Sequence, residues 1–227
     1  MSAREKFVVI SGAGLSAPSG LKTFRDSDGL WENHRVEDVA SPAAWKRNPR
    51  LVLEFYNMRR AQAAKAQPNA GHVAIAALER KFDVVVITQN VDDLHERAGS
   101  SRVIHLHGEL TSARSSMDST LKRRIGAAPI AIGDLCELGG QLRPDIVWFG
   151  EPVPLMYEAT LEVIKAKHVL VVGTSLAVYP AAGLLESAPE QAGKVYVDLR
   201  AETRPPGFRI VEGSADVVLP DLVDDWL

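Results

Sequence analysis

The chain has 227 residues and a single cysteine, Cys136. One cysteine closes no internal disulfide and supplies no multi-thiolate metal site. The count fits a reducing, cytoplasmic setting. Basic residues are not in excess: 26 Lys+Arg against 29 Asp+Glu leave a formal net charge of -3. A non-specific nucleic-acid binder is usually basic, so that class is disfavoured. No apolar run approaches the roughly 18 residues of a membrane span. The opening Met1 to Lys6, followed by Phe7-Val8-Val9-Ile10, lacks the longer apolar stretch and small-residue cleavage site of a signal peptide. Repeats and long low-complexity tracts are also missing. These absences predict a soluble cytoplasmic protein with no membrane or nucleic-acid partner. No signature of self-association is visible, so a monomer is the default.

Apolar residues make up 46% of the chain, enough for a large core, and the length suits one domain carrying a small insertion. Short β-branched runs recur at Phe7 to Ile10, Phe82 to Thr88, Val103 to Leu106, His168 to Val172, Val195 to Leu199 and Asp216 to Leu219. Several are continuously apolar, as strands buried on both faces are. Helical periodicity lies between them, over Leu51 to Gln67, Ala70 to Lys81, Leu155 to Lys167 and Ala181 to Ala192. The alternation predicts an α/β fold with a Rossmann-like, doubly wound parallel sheet. Two regions break it. Pro18 to Pro49 reads as loop. Glu109 to Pro144 is polar, with Lys122, Arg123 and Arg124 in its middle, and reads as a small excursion.

Chemistry-bearing residues gather at predicted strand ends, where open parallel sheets bind ligands. Gly12-Ala13-Gly14-Leu15-Ser16-Ala17 follows the first strand and fits G-x-G-x-x-G/A. It suits a phosphate cradle or a tight strand-to-helix turn. The acidic second strand of a dehydrogenase is missing: Gly20 to Trp31 is broken by glycine instead. Thr88-Gln89-Asn90-Val91-Asp92 offers polar groups for a ligand or a helix cap. His105-Leu106-His107-Gly108-Glu109 sets two histidines on one face, as a metal pair, or as one general base beside a core histidine. Gly173-Thr174-Ser175 and Asp198 suit ribose or phosphate contacts or capped turns. Tyr56 and Arg59 stand i,i+3 on one helix face, where Arg59 could fork onto a carboxylate or face solvent.

Taken together these segments resemble the sirtuins, NAD-dependent protein lysine deacylases. The resemblance runs through Gly12 to Ser16, Gly20-Leu21-Lys22-Thr23-Phe24-Arg25, Thr88 to His95, His107-Gly108-Glu109-Leu110, Leu142-Arg143-Pro144, Val147-Trp148-Phe149-Gly150-Glu151, Gly173 to Ser175 and Tyr179-Pro180. Their order and spacing cover nearly the whole chain. The resemblance implies one catalytic domain over 1–227, with a small module from roughly 20–80 and 109–144. NAD would be consumed as a co-substrate, held by Gly12, Ala13, Gly14, Ser16, Ala17, Phe24, Arg25, Trp31, Gln89, Asn90, Val91, Asp92, His107, Gly173, Thr174, Ser175, Asp198, Leu199, Arg200 and Ala215. Asp198-Leu199-Arg200 stands where many relatives have Asn-Leu-Glu. His107 matches the family's base, with Asn90, Asp92, Ser16 and Arg25 beside the reacting atoms. In the mechanism that the resemblance implies, the acyl oxygen would attack C1′ of the nicotinamide ribose, nicotinamide would leave, and the acyl group would end on ADP-ribose. Val147, Trp148, Phe149, Gly150 and Val178 would line the acyl-lysine channel. Tyr56 and Arg59 match the Tyr-x-x-Arg signature of class III sirtuins, which implies desuccinylase and demalonylase activity, with deacetylation beside it. ADP-ribosyl transfer, NAD hydrolysis or a non-catalytic NAD sensor are the alternatives.

Most sirtuins carry two cysteine pairs that hold zinc in the small module. Here Thr111 to Met117 and Asp134 to Gly140 contain Cys136 alone. A zinc-free module is expected, packed through Leu121, Ile125, Ile130, Ile132 and Leu135.

Overall fold

The fold is that of a computed structural model, which describes residues 4–22, 30–31 and 34–227. Its centre is a parallel sheet built from β1 (Lys6–Ser11), β4 (Asp83–Thr88), β5 (Val103–His105), β9 (His168–Val172), β10 (Gly193–Asp198) and β11 (Arg209–Glu212). The strand order is β11-β10-β9-β1-β4-β5, and every pairing is parallel. Side chains of β1 divide between two cores because successive residues point to opposite faces. Phe7 and Val9 pack with Ile75 and Leu78, and with Leu219 and Val223, on one face. Val8 and Ile10 pack with Ala159, Val163 and Leu184 on the other. Both faces are therefore covered, which explains why the strands are continuously apolar. The chain leaves β1 toward β4 on one side and returns at β9 on the other. That reversal opens a crevice at the carboxyl ends of β1, β4 and β9.

The helices are α1 (Ala13–Ser16), α2 (Val36–Val39), α3 (Pro42–Arg47), α4 (Pro49–Lys65), α5 (Ala70–Ala77), α6 (Leu94–Ala98), α7 (Met156–Ile164) and α8 (Ala215–Trp226). Three secondary-structure expectations change. Asp216 to Leu219 is the start of α8, not a strand. Ala215, Leu219, Leu222 and Val223 bury at helical spacings, and four residues are too few to separate the two periods. The sixth strand is instead Arg209–Glu212. Pro18 to Pro49 is not simply loop. Ser41 caps α3 through the Ala44 N–H at 3.0 Å, and Asn48 caps α4 through the Leu51 N–H at 3.1 Å. Each cap is followed by proline at the first helical position, which suits a helix start. Ala181 to Ala192 forms a 3₁₀ turn over Ala181–Ser187 rather than an α-helix.

Beside the large sheet lies a module of α2, α3 and α4 with the antiparallel sheet β7-β6-β8. Its strands are β6 (Gly108–Ser115), β7 (Lys122–Arg124) and β8 (Leu142–Ile146). A two-stranded ribbon, β2 (Leu30–Trp31) with β3 (His34–Arg35), precedes α2. Helix α5 falls inside the 20–80 span yet packs on the large sheet. The module's core joins Phe55, Tyr56, Leu110, Ile146 and Trp148, extended by Leu53, Ala113, Ile130 and Leu142. Ile132 and Leu135 lie at the surface instead, 47% and 54% exposed. Polar ties take over that role. The Asn57 side chain donates to the Ile130 carbonyl and accepts from its N–H, both at 2.9 Å.

Charge completes the module. Glu151 accepts both Nη groups of Arg143, at 2.7 and 3.0 Å, and Nη2 of Arg114 at 2.9 Å. It also accepts the Trp148 N–H at 2.9 Å, while the Arg143 guanidinium lies 3.2 Å over the Trp148 ring. Burial opposes ionisation of Glu151, but the Arg143 and Trp148 hydrogen bonds and the two guanidinium charges hold its pKa below the usual carboxylate range. A depressed carboxylate contributes stability above its unfolded pKa and loses it as pH falls through the folded value. Glu151→Ala leaves two largely buried guanidinium groups without this carboxylate. The expected loss is about 3 kcal/mol at pH 7 by urea denaturation, shrinking as the pH drops through the lowered Glu151 value. A loss equal to that of an exposed pair, under about 1 kcal/mol, would contradict it.

Candidate active site

The glycine loop after β1 and the loop after β9 touch through their main chains. The Gly14 N–H donates to the Gly173 carbonyl at 2.8 Å, and the Gly12 N–H to Val172 at 3.0 Å. A Cβ on Gly14 would stand 2.9 Å from Gly173 Cα, and one on Gly12 would stand 2.7 Å from Thr174 Cβ. Gly173 adopts φ +62°, and a Cβ there would collide with the Leu15 backbone nitrogen. Side chains are excluded at all three positions, which leaves bare backbone lining a cleft of about 750 Å³.

Asn90 spans this crevice. Its Nδ2 donates to the Gly12 carbonyl and to Ser16 Oγ, both at 3.1 Å. Ser16 Oγ donates in turn to Asp92 Oδ2 at 3.1 Å, and Asp92 Oδ1 accepts the Leu94 N–H at 3.2 Å. Burial raises the Asp92 pKa, against the pull of the Leu94 and Ser16 hydrogen bonds. The Asn90 N–H is held by Thr88 Oγ1 at 3.0 Å, and Ser11 Oγ links Thr88 Oγ1 to His95 Nε2, each at 2.8 Å.

His107 faces the same cleft. Its Nδ1 lies 3.1 Å from the Gln89 carbonyl oxygen. A carbonyl only accepts, so Nδ1 carries the proton and Nε2 keeps a bare lone pair. Burial lowers the ring's pKa more than the Gln89 hydrogen bond raises it. At neutral pH the ring is a neutral imidazole able to take a proton. Gln89 Nε2 meanwhile donates to Thr174 Oγ1 at 3.0 Å.

The Sir2 family profile matches residues 12–180. The chain belongs to the Sir2 family. A protein named NAD-dependent protein deacylase from Helicobacter pylori is 51% identical over 221 residues, 96% of each chain. A Bacteroides thetaiotaomicron protein of the same name is 50% identical over 199 residues, 86% of this chain and 85% of that one. Among solved structures, a Sir2 homolog–NAD complex superposes with a TM-score of 0.85 at 38% identity, covering 96% of this chain and 88% of that one. Sir2 bound to acetylated peptide gives 0.80 at 28% identity, over 98% and 94%.

In this sirtuin the cleft gathers Gly12, Ala13, Gly14, Ser16, Ala17, Gln89, Asn90, Val91, Asp92, His107, Gly173, Thr174, Ser175, Asp198, Leu199, Arg200 and Ala215. Tyr56, Arg59, Val147, Trp148, Phe149, Gly150 and Val178 line it as well. Phe24 and Arg25 lie outside the described residues, as does the side chain of Trp31. Sequence reading missed Gly213 and Ser214, which also line the cleft. The signal was the Gly-Ser pair opening α8, hidden once Asp216 to Leu219 was read as a strand.

Tyr56 and Arg59 project from α4, whose buried face carries both. Tyr56 Oη accepts the Trp148 Nε1–H at 3.1 Å, and Arg59 Nη1 donates to Gln62 Oε1 at 3.2 Å. Burial pushes the Tyr56 phenol pKa far up, so it stays protonated. His105 is not among the cleft residues. It stands apart from His107, against Asn90 and Glu96. Among the described residues no group of three or more His, Cys, Asp or Glu side chains converges as a metal site. Cys136 is half-buried, and its Sγ donates to Ser115 Oγ at 3.1 Å.

Proposed function

We propose that this chain is an NAD-dependent protein lysine deacylase that prefers acidic acyl groups. The observation that carries the reading is His107: a neutral ring with a bare Nε2, in the same cleft as the Asn90–Ser16–Asp92 network and the glycine-lined backbone. The crowding at Gly12, Gly14 and Gly173 supports a pyrophosphate site, because only bare backbone allows phosphate oxygens to approach so closely. When bound, NAD supplies the ribose carbon that accepts the acyl oxygen as nicotinamide departs. Asn90 and Asp92, fixed through Ser16, orient the nicotinamide ribose. His107 Nε2 takes the proton of a ribose hydroxyl. Gln89 ties the His107 loop to Thr174, with Gly173 and Ser175 toward the remainder of the dinucleotide and Asp198 toward a ribose. Trp148 and Phe149 form the wall along which acyl-lysine enters.

Burial of Tyr56 and Arg59 supports the acidic preference. The protonated Tyr56 hydroxyl and the Arg59 guanidinium offer donors to a succinyl or malonyl carboxylate. The module needs no zinc in this reading. A hydrogen bond between Cys136 and Ser115 stands near the site of the family's thiolates, and the Glu151 ion network with the Asn57–Ile130 pairing holds the module instead.

Incubating the protein with NAD and a succinyl-lysine peptide tests the activity by product mass. Free lysine peptide with O-succinyl-ADP-ribose is expected. ADP-ribosylated protein or ADP-ribose alone would point to transferase or hydrolase chemistry, and no turnover to a sensor. Arg59→Met should cut desuccinylation at least about 30-fold, because losing a desolvated Arg–carboxylate pair costs about 2 kcal/mol or more, while deacetylation is spared. Equal loss of both activities refutes the carboxylate reading. Elemental analysis of the purified protein should find far less than one zinc per chain.

A further inference from the structure

His105 stands behind Asn90, outside the cleft. Its Nδ1 lies 3.0 Å from the Asn90 backbone oxygen and its Nε2 lies 2.7 Å from Glu96 Oε1. The ring is buried, with a relative exposure of 9%. A carbonyl oxygen and an ionised carboxylate accept hydrogen bonds and donate none. A neutral imidazole always has one bare nitrogen. In either tautomer that lone pair would face another acceptor at hydrogen-bond distance. With Glu96 ionised, only a ring protonated at both nitrogens matches both neighbours.

We propose that Glu96 holds His105 as an imidazolium at neutral pH, and that His105 is a positioning residue which clamps the main-chain carbonyl of Asn90 from behind the cleft. With Thr88 on the N–H and His105 on the C=O, both backbone polar groups of Asn90 are taken. Its carboxamide is thereby aimed at Gly12 and Ser16. The functional consequence rests on the reading that Asn90 and Asp92 hold the nicotinamide ribose of NAD. The protonation state does not.

The charges around the ring agree with this assignment. Burial opposes the cation, but the Glu96 hydrogen bond and charge, the Asn90 carbonyl and the charge of Glu109 on β6 outweigh it, and the pKa of His105 rises. Glu96 is itself lowered: burial resists, while His105 and the charge of Arg124 on β7 favour the carboxylate. Asp92 adds a favourable charge when ionised. His95 on α6 is deeply buried with its pKa well lowered, so it stays neutral and adds no opposing charge. A raised histidine contributes its stabilisation fully below the unfolded pKa and loses it as pH climbs through the folded value. The clamp therefore loosens on the alkaline side.

Long-range proton–nitrogen NMR of the full chain at pH 7 tests the charge directly. The His105 ring should carry protons on both nitrogens, while His107 shows a single proton on Nδ1. In Glu96→Gln the His105 ring should turn neutral, with its proton on Nδ1. A neutral His105 ring in the unmodified protein at pH 7 overturns the proposal. For the positioning role, NAD titration should show His105→Leu raising Kd about tenfold, a change in scale with one lost charge-assisted hydrogen bond. His105→Asn, whose amide keeps a donor near Nδ1, should recover most of that loss. Equal weakening in both variants refutes the clamp. Failure of the unmodified protein to bind NAD would sink the functional reading and leave the ring measurement to decide the charge.

Discussion

The backbone contact between Gly14 and Gly173 sets the geometry on which the site depends. These loops leave neighbouring strands, β1 and β9, at the point where the sheet's connections reverse direction. Their main chains meet at 2.8 Å, and a side chain on either residue would force them apart. With the loops closed, Asn90 from the third strand, β4, can reach Gly12 and Ser16 at once. Three strand ends become one surface. The apolar sheet beneath, buried on both faces, supplies the rigidity that such short polar reaches require.

The second half of the site comes from the module. Trp148 leaves β8 and turns its indole onto Tyr56 of α4, so helix and sheet present one continuous wall to the cleft. Glu151 anchors that wall by accepting the Trp148 N–H and binding two arginines. The network also joins β6 to β8, through Arg114 and Arg143, and so crosslinks strands that are too short to be stable alone.

Much of this was legible in the sequence. Continuous apolar runs marked four central strands because burial on both faces leaves no polar positions. The polar residues following them marked the cleft because parallel strands all deliver their ends to one side. The boundaries that failed did so for local reasons. Asp216 to Leu219 was too short to distinguish a strand from the first turn of α8. Ser41-Pro42 and Asn48-Pro49 looked like breaks, yet each is a cap followed by a helix start. Ile132 and Leu135 looked like core, but the ties through Asn57 and the arginines removed the need to bury them. The spacing of Tyr56 and Arg59 showed a shared face, and only the packing of α4 against Trp148 showed that the face is buried. His105 and His107 were indistinguishable as a pair. Their separate surroundings depend on Glu96 and Gln89, which spacing alone does not bring to either ring.

The Gln89 contact has a further consequence. The group that fixes the proton on His107 Nδ1 is a main-chain carbonyl, present whatever residue occupies position 89. The orientation of the lone pair on Nε2 is therefore written into the path of the backbone. The side chain of Gln89 is left for another task, its bond to Thr174. Mutation at position 89 can break the tie to Thr174 without reversing the tautomer of His107, so the two properties are free to drift independently as the sequence changes.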